Sequence, residues 1–139
     1  MKIEWDESIS VGVPQLDEDH KRLLGILNYI EDHQDDDVKS EPISLIIEQI
    51  REYASSHFRR EEHYMQSIAY PGYDDHKRSH KQFMEKTAAL CVDVMNQKQD
   101  TPKDIHQFLC TWVTEHTLRE DQRYKAFNEA RQACENKTS

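Results

Sequence analysis

Apolar side chains recur at steps of three and four over four stretches of the chain, the spacing of amphipathic helices. From Asp17, placed to cap a helix, Leu23, Leu24, Leu27 and Ile30 keep that spacing until the polar run Gln34, Asp35, Asp36 and Asp37 ends it. Ser40 and Pro42 open a second helix whose stripe runs through Ile43, Ile46, Ile47, Ile50, Tyr53, Ala54, Phe58 and Met65 to about Ser67. Pro71 and Gly72 break the chain, and Tyr73, Phe83, Met84, Leu90, Cys91 and Val94 mark a third helix to about Gln97. Thr101, Pro102 and Asp104 give the start signal of a fourth, followed by Ile105, Phe108, Leu109, Trp112 and Val113.

The ends read differently. Up to Leu16, the residues Trp5, Ile9, Val11 and Val13 around Gly12 and Pro14 suit an extended arm packed across the helices. After His116 the apolar register weakens, and Tyr124, Phe127 and Ala130 predict a short further helix that frays into a polar tail. The expected fold is all-α: an antiparallel, up-down-up-down four-helix bundle with an N-terminal extended arm and a short C-terminal helix. It is expected as one domain over residues 1–139, with the arm at 1–16, the bundle at 17–134 and the tail at 135–139.

Composition narrows the class. With 139 residues, 3 Gly, 4 Pro and 32% charged residues, the chain suits long helices, few turns and a single core. A net charge of -9 repels phosphate backbones, and no basic helical face offsets it, so nucleic acid is an unsuitable partner. The acidic start lacks a signal-peptide core and no apolar run approaches a membrane span, which predicts a soluble, cytoplasmic protein. Cys91, Cys110 and Cys134 are odd in number and widely spaced, as incidental thiols are.

Extending each apolar stripe by three or four residues lands on polar side chains: His20 in the first helix, His57 and Glu61 in the second, His76 and His80 in the third, and His116 in the fourth. Burying them without partners costs several kcal/mol in total, about 1 to 3 for each neutral group and more for the carboxylate. His57 with Glu61, and His76 with His80, are four residues apart, so each pair shares a helix face and can grip one ion. Short connections make neighbouring helices antiparallel, which gathers all six at one end of the bundle. Asp121 adds a carboxylate five residues after His116, ~140° away on a regular helix, so both can bind only if the helix ends or kinks between them.

Each signal alone has an ordinary explanation. An HxxxH pair is common on surfaces, and HKRSH lacks the adjacent glutamate of a zinc protease. His20 alone suits a satisfied partly buried histidine, and Glu61 a solvated charge beside Glu62. Agreement across four helices favours a metal pair instead. His33, His63 and His106 lie off the stripe or off the ligand-bearing end and read as surface histidines.

The ordered set His20, His57-x-x-x-Glu61, His76-x-x-x-His80 and His116-x-x-x-x-Asp121 resembles hemerythrins, in particular the bacterial single-domain members. The resemblance extends over nearly the whole chain through Trp5, Asp17-x-x-His20-Lys21, His57-Phe58, Tyr70-Pro71-Gly72-Tyr73 and Trp112. It implies a non-haem di-iron centre with an oxo or hydroxo bridge: one iron on His76, His80 and His116, the other on His20 and His57, with Glu61 and Asp121 bridging. Three histidines and three bridges complete six positions, whereas two histidines and three bridges leave one open, where the family binds O2. Imidazole and carboxylate ligands favour iron over thiolate-seeking metals, and no Glu-x-x-His pair of a ferritin-like oxidase occurs.

The resemblance implies a binding protein, not an enzyme, for O2 storage or delivery. The alternative is an O2 or redox sensor acting on a fused or docked output domain, and a weaker one is a peroxidase or nitric-oxide-reactive site. The polar tail holds no recognisable output domain, which favours the free-standing protein. Leu23, Phe58, Trp112, Val113 and Thr117 are the expected O2 pocket. Where the family usually has a bulky aliphatic residue, Thr117 is expected to offer a hydroxyl that shortens the oxygenated lifetime.

Overall fold

The computed structural model describes residues 2–138 and, among them, is helical without a strand. After a 3-10 turn at Glu7–Ile9 come α1 (Pro14–His33), α2 (Glu41–Ser67), α3 (Tyr73–Met95) and α4 (Thr101–Trp112). A π-helical segment, Val113–Glu120, joins α4 to α5 (Asp121–Thr138), so the fourth arm of the bundle is one unbroken rod. The main packing is α1 on α2 and α4, and α3 on α2 and α4, which closes a four-helix bundle with connections short enough to make neighbours antiparallel.

Three boundaries differ from expectation. α1 starts at Pro14 rather than Asp17, because proline suits a first turn whose N–H groups lack partners. Asp17 instead reaches back to the arm, accepting from the Val11 N–H (2.9 Å) and the Ser10 hydroxyl (2.6 Å). α3 closes at Met95, where Gln97 turns left-handed (φ 56°). The C-terminal helix is 18 residues long and takes in 135–138, the segment expected as tail. It is anchored by fully buried Tyr124, by Phe127 against Tyr70, and by Arg131 donating to the Ile68 carbonyl (3.2 Å). Residue 139 of the expected tail lies outside the described residues.

The arm packs as expected. Asn28 brackets Ile3, accepting its N–H (3.0 Å) and donating to its carbonyl (2.8 Å), while Lys21 lies over the Trp5 ring.

Two apolar clusters share the interior. The larger runs from Leu23 to Ile30 on α1 and from Ile43 to Phe58 on α2, and includes Phe83, Leu90, Ile105, Leu109, Trp112 and Val113. The smaller holds Val11, Leu16, Met65, Ile68 and Tyr124 under an aromatic fringe of Tyr64, Tyr70, Tyr73 and Phe127. Along α1, α2 and the fourth rod, the change from one cluster to the other falls at His20, Glu61 and the 116–121 segment.

Candidate metal centre

The seven polar residues occupy that boundary. His20, Glu61 and Asp121 are fully buried, and His57, His76, His80 and His116 are at most 3% exposed. Their ligand-capable atoms form two groups: Glu61, His76, His80 and His116, and His20, His57, Glu61 and Asp121, each gathered within 4.8 Å.

Asp121 joins because the fourth rod changes pitch. Its N–H bonds the His116 carbonyl, an i to i+5 bond in place of the α-helical i to i+4. The wider turn absorbs the fifth residue and returns Asp121 to the face that carries His116, with Nε2 and Oδ1 3.1 Å apart. The rod therefore does not end between them; the change to π pitch takes the place of the regular 100° step.

Each carboxylate faces both histidine groups. Glu61 Oε1 lies 2.7 Å from His76 Nε2 and 2.9 Å from His80 Nε2, while Oε2 lies 3.1 Å from His57 Nε2 and 3.5 Å from His20 Nε2. Asp121 Oδ1 approaches His76 (2.9 Å) and Oδ2 approaches His20 (3.0 Å). Yet Nε2 of His20, His57 and His116 and both Asp121 oxygens have no hydrogen bond of acceptable direction, despite full burial. Atoms this close that do not aim at one another fit donors converging on ions between them, since buried groups left unpaired are costly. The donor set fits a pair of borderline cations: five imidazoles, two carboxylates and no thiolate.

The electrostatics follow from this crowding. Burial opposes protonation of His20 and His76, but Asp121 and Glu61 beside them raise their pKa values to about 10 and about 9. His57 and His116 are raised against the same opposition from burial, by Glu61 and Asp121 respectively. Burial works to raise Glu61 and Asp121, and the surrounding imidazoles hold both below the usual carboxylate range.

A second ring of side chains fixes three of the five imidazoles. Asp19 accepts from His57 Nδ1 (2.9 Å) and from Arg60 Nε (2.9 Å) and is also held by Arg60 Nη2. Glu62 takes His80 Nδ1 at 2.8 Å, and His116 Nδ1 lies 3.2 Å from Ser79 Oγ and 3.5 Å from Glu120. Each partner on Nδ1 leaves Nε2 turned inward as a lone-pair donor. Tyr124, buried, donates its hydroxyl to Glu61 Oε2 (3.1 Å).

Sequence reasoning missed this ring. Asp19, Glu62, Ser79 and Glu120 each neighbour a ligand in sequence, a local pattern shared by solvated helix charges and caps; Tyr124, three residues past Asp121, carried the available signal. Tyr53 was also read as plain core, yet its ring stacks on His57 (5.0 Å, 19°).

The expected pocket residues are all buried. Phe58 stacks on His80 and Trp112 on His116, both at 3.9 Å, over the three-histidine group. Leu23 is the residue one turn after His20, and Val113 shares its cluster. Thr117 is fully buried and its hydroxyl has no partner. His33 pairs with Asp36 (2.7 Å) and His106 lies 3.5 Å from Cys110 Sγ; both are half-buried rather than on the surface, and His63 is exposed. All three lie outside the two groups. The three cysteines form no disulfide. No helix among the described residues is long and apolar enough to cross a membrane.

Comparison with known proteins bears on this geometry. Residues 11–127 match the family described as "Hemerythrin HHE cation binding domain". The chain is 30% identical over 131 residues to a bacteriohemerythrin of Clostridium acetobutylicum, covering 86% of this chain and 96% of that protein. It is 26% identical over 120 residues to a bacteriohemerythrin of Stenotrophomonas maltophilia, covering 86% and 77%. It is 30% identical over 123 residues to a myohemerythrin of Sipunculus nudus, covering 87% and 89%.

Proposed function

The chain belongs to the hemerythrin family, and on that footing we propose that it binds O2 reversibly at a non-haem, carboxylate-bridged di-iron centre. The ligands in this reading are His76, His80 and His116 on one iron, His20 and His57 on the other, and Glu61 and Asp121 across both. One observation carries it: each carboxylate presents its oxygens to both histidine groups, and those groups are unequal, three against two. Two irons held there would supply the electrons that O2 binding requires.

The chain's own residues do the rest. Asp19, Glu62, Ser79 and Glu120 keep Nε2 of their histidines directed inward. Tyr124 holds Glu61 on the side facing the two-histidine group. Phe58, Trp112, Leu23 and Val113 line the site with apolar surface, which excludes the water and protons that end reversibility. We read residues 1–139 as one such domain, acting in O2 storage or delivery rather than turnover; cysteines that form no disulfide suit a reducing, cytoplasmic setting.

Glu61→Ala tests the bridge. It should abolish paired metal binding while leaving the helical signal, read by metal count and circular dichroism; two metals retained would remove Glu61 from the ligand set. The sensor reading, with an output domain or partner downstream, draws support from Thr117, whose buried, partnerless hydroxyl can draw water into an apolar lining. Thr117→Ile should then slow decay of the oxygenated spectrum, and equal rates would remove that support.

A further inference from the structure

A cleft of about 570 Å3 opens between α2 and α3 at the metal-centre end of the bundle. Its rim carries Arg59, His63, Lys77 and Lys81, all exposed, and its one acid is Glu62. That carboxylate is already engaged by His80 Nδ1 at 2.8 Å. Lys2, Lys21, Arg60, Arg78 and Lys103 each meet a carboxylate elsewhere on the molecule. Among the described residues Arg59, Lys77 and Lys81 meet none, and Lys77 lies over the Tyr73 ring instead. A chain of net charge -9 thus holds a cationic recess beside its site.

The floor of the recess matters as much as its rim. Phe58 lines it and stacks face to face on His80, a residue of the three-histidine group, with centroids 3.9 Å apart. His80 itself borders the cleft. Asp19 and Arg60 cover His57 on the other side.

We propose that the cleft is the docking face for an acidic one-electron carrier protein that returns the oxidised centre to its reduced state. The inference rests on the di-iron reading above. Two carrier molecules each give up one electron, each ferric ion gains one, and no bond to the protein forms or breaks. The net charge of -9 opposes an acidic partner over the molecule as a whole, so a local cationic recess orients the encounter as well as attracting it.

The test uses the iron-loaded protein and, as probe, an acidic plant-type ferredoxin. Two quantities are read at low and high ionic strength: the second-order rate at which reduced ferredoxin bleaches the ferric chromophore, and the affinity of oxidised ferredoxin for the immobilised protein. Lys77→Glu with Lys81→Glu should lower both about tenfold at low salt, and salt should erase the difference. Lys39→Glu with Lys98→Glu, in the loops at the opposite end, should change each by less than about twofold. Reduction by the small methyl viologen cation should be no slower in the cleft variant. An equal loss in both variants, or none in the cleft variant, overturns the docking face. A protein without two irons or without a ferric chromophore sinks the di-iron reading instead, and the affinity measurement still decides the docking face.

Discussion

Asp19 shows how much of the site depends on single side chains behind the ligands. It is buried, and although burial favours its neutral form, His57 and Arg60 lower its pKa to about 2. A carboxylate depressed below its unfolded value near 3.8 contributes stability that is complete above that value and lost as the pH falls toward 2. Asp19→Asn should therefore flatten the acid limb of the unfolding curve. It should also weaken metal binding by about 10- to 100-fold, because a neutral amide oxygen is a weaker acceptor for His57 Nδ1–H than the carboxylate and fixes its tautomer less firmly. Titration of stripped protein with Co2+ reads the affinity.

The imidazoles have the opposite sign. In metal-free protein His20 and His76, raised to about 10 and about 9, are protonated at neutral pH. Their stabilising contribution is complete below about 6.5 and lost as the pH rises through 9 to 10. Metal loading at pH 7 should release protons, and affinity should weaken as the pH falls. Calorimetry in buffers of different ionisation enthalpy counts the protons; a buffer-independent heat would contradict the charge state derived for the cluster.

Among the elements, the π-helical segment does the most for the site. Its i to i+5 turn carries a five-residue spacing between His116 and Asp121 that a regular helix would splay. Deleting the exposed Arg119 shortens the spacing to four, which an ordinary α-turn serves equally well. The deletion should keep two metals per chain and gain stability; loss of Asp121 ligation, seen as one metal or none, would show that the π pitch itself is required.

The α2–α3 turn is the other constrained element. A Cβ on Gly72 would meet the Tyr70 ring at 2.7 Å, and that ring packs on Tyr124 and Phe127. Gly72→Ala should cost about 1 to 3 kcal/mol by pushing the aromatic cap off Tyr124, measured by chemical denaturation.

At the scale of the molecule, the site lies between a large aliphatic cluster and a small aromatic one, so that both its walls are dry. This placement was legible in the sequence, because His20, Glu61 and His116 interrupt apolar stripes whose period is set by the helix. The bundle was legible for the same reason. Asp121 was legible only through resemblance, since stepping by 100° places it off the stripe and no residue between 116 and 121 announces a π turn. The ring of Asp19, Glu62, Ser79, Glu120 and Tyr124 was hidden because a charged or hydroxyl residue beside a ligand has the same local pattern as a solvated one. Only the packing of α1 on α2, and of α3 on α2 and the fourth rod, brings Asp19, Glu62 and Ser79 to the Nδ1 atoms of His57, His80 and His116.

The central claim, reversible O2 binding at two irons, is met most directly by a visible spectrum of the reduced protein taken under argon, in air and again under argon, alongside an iron count per chain. The account predicts two irons and a band that appears with air and disappears without it. A colourless protein holding a single zinc, or a two-iron protein whose spectrum ignores oxygen, would contradict it.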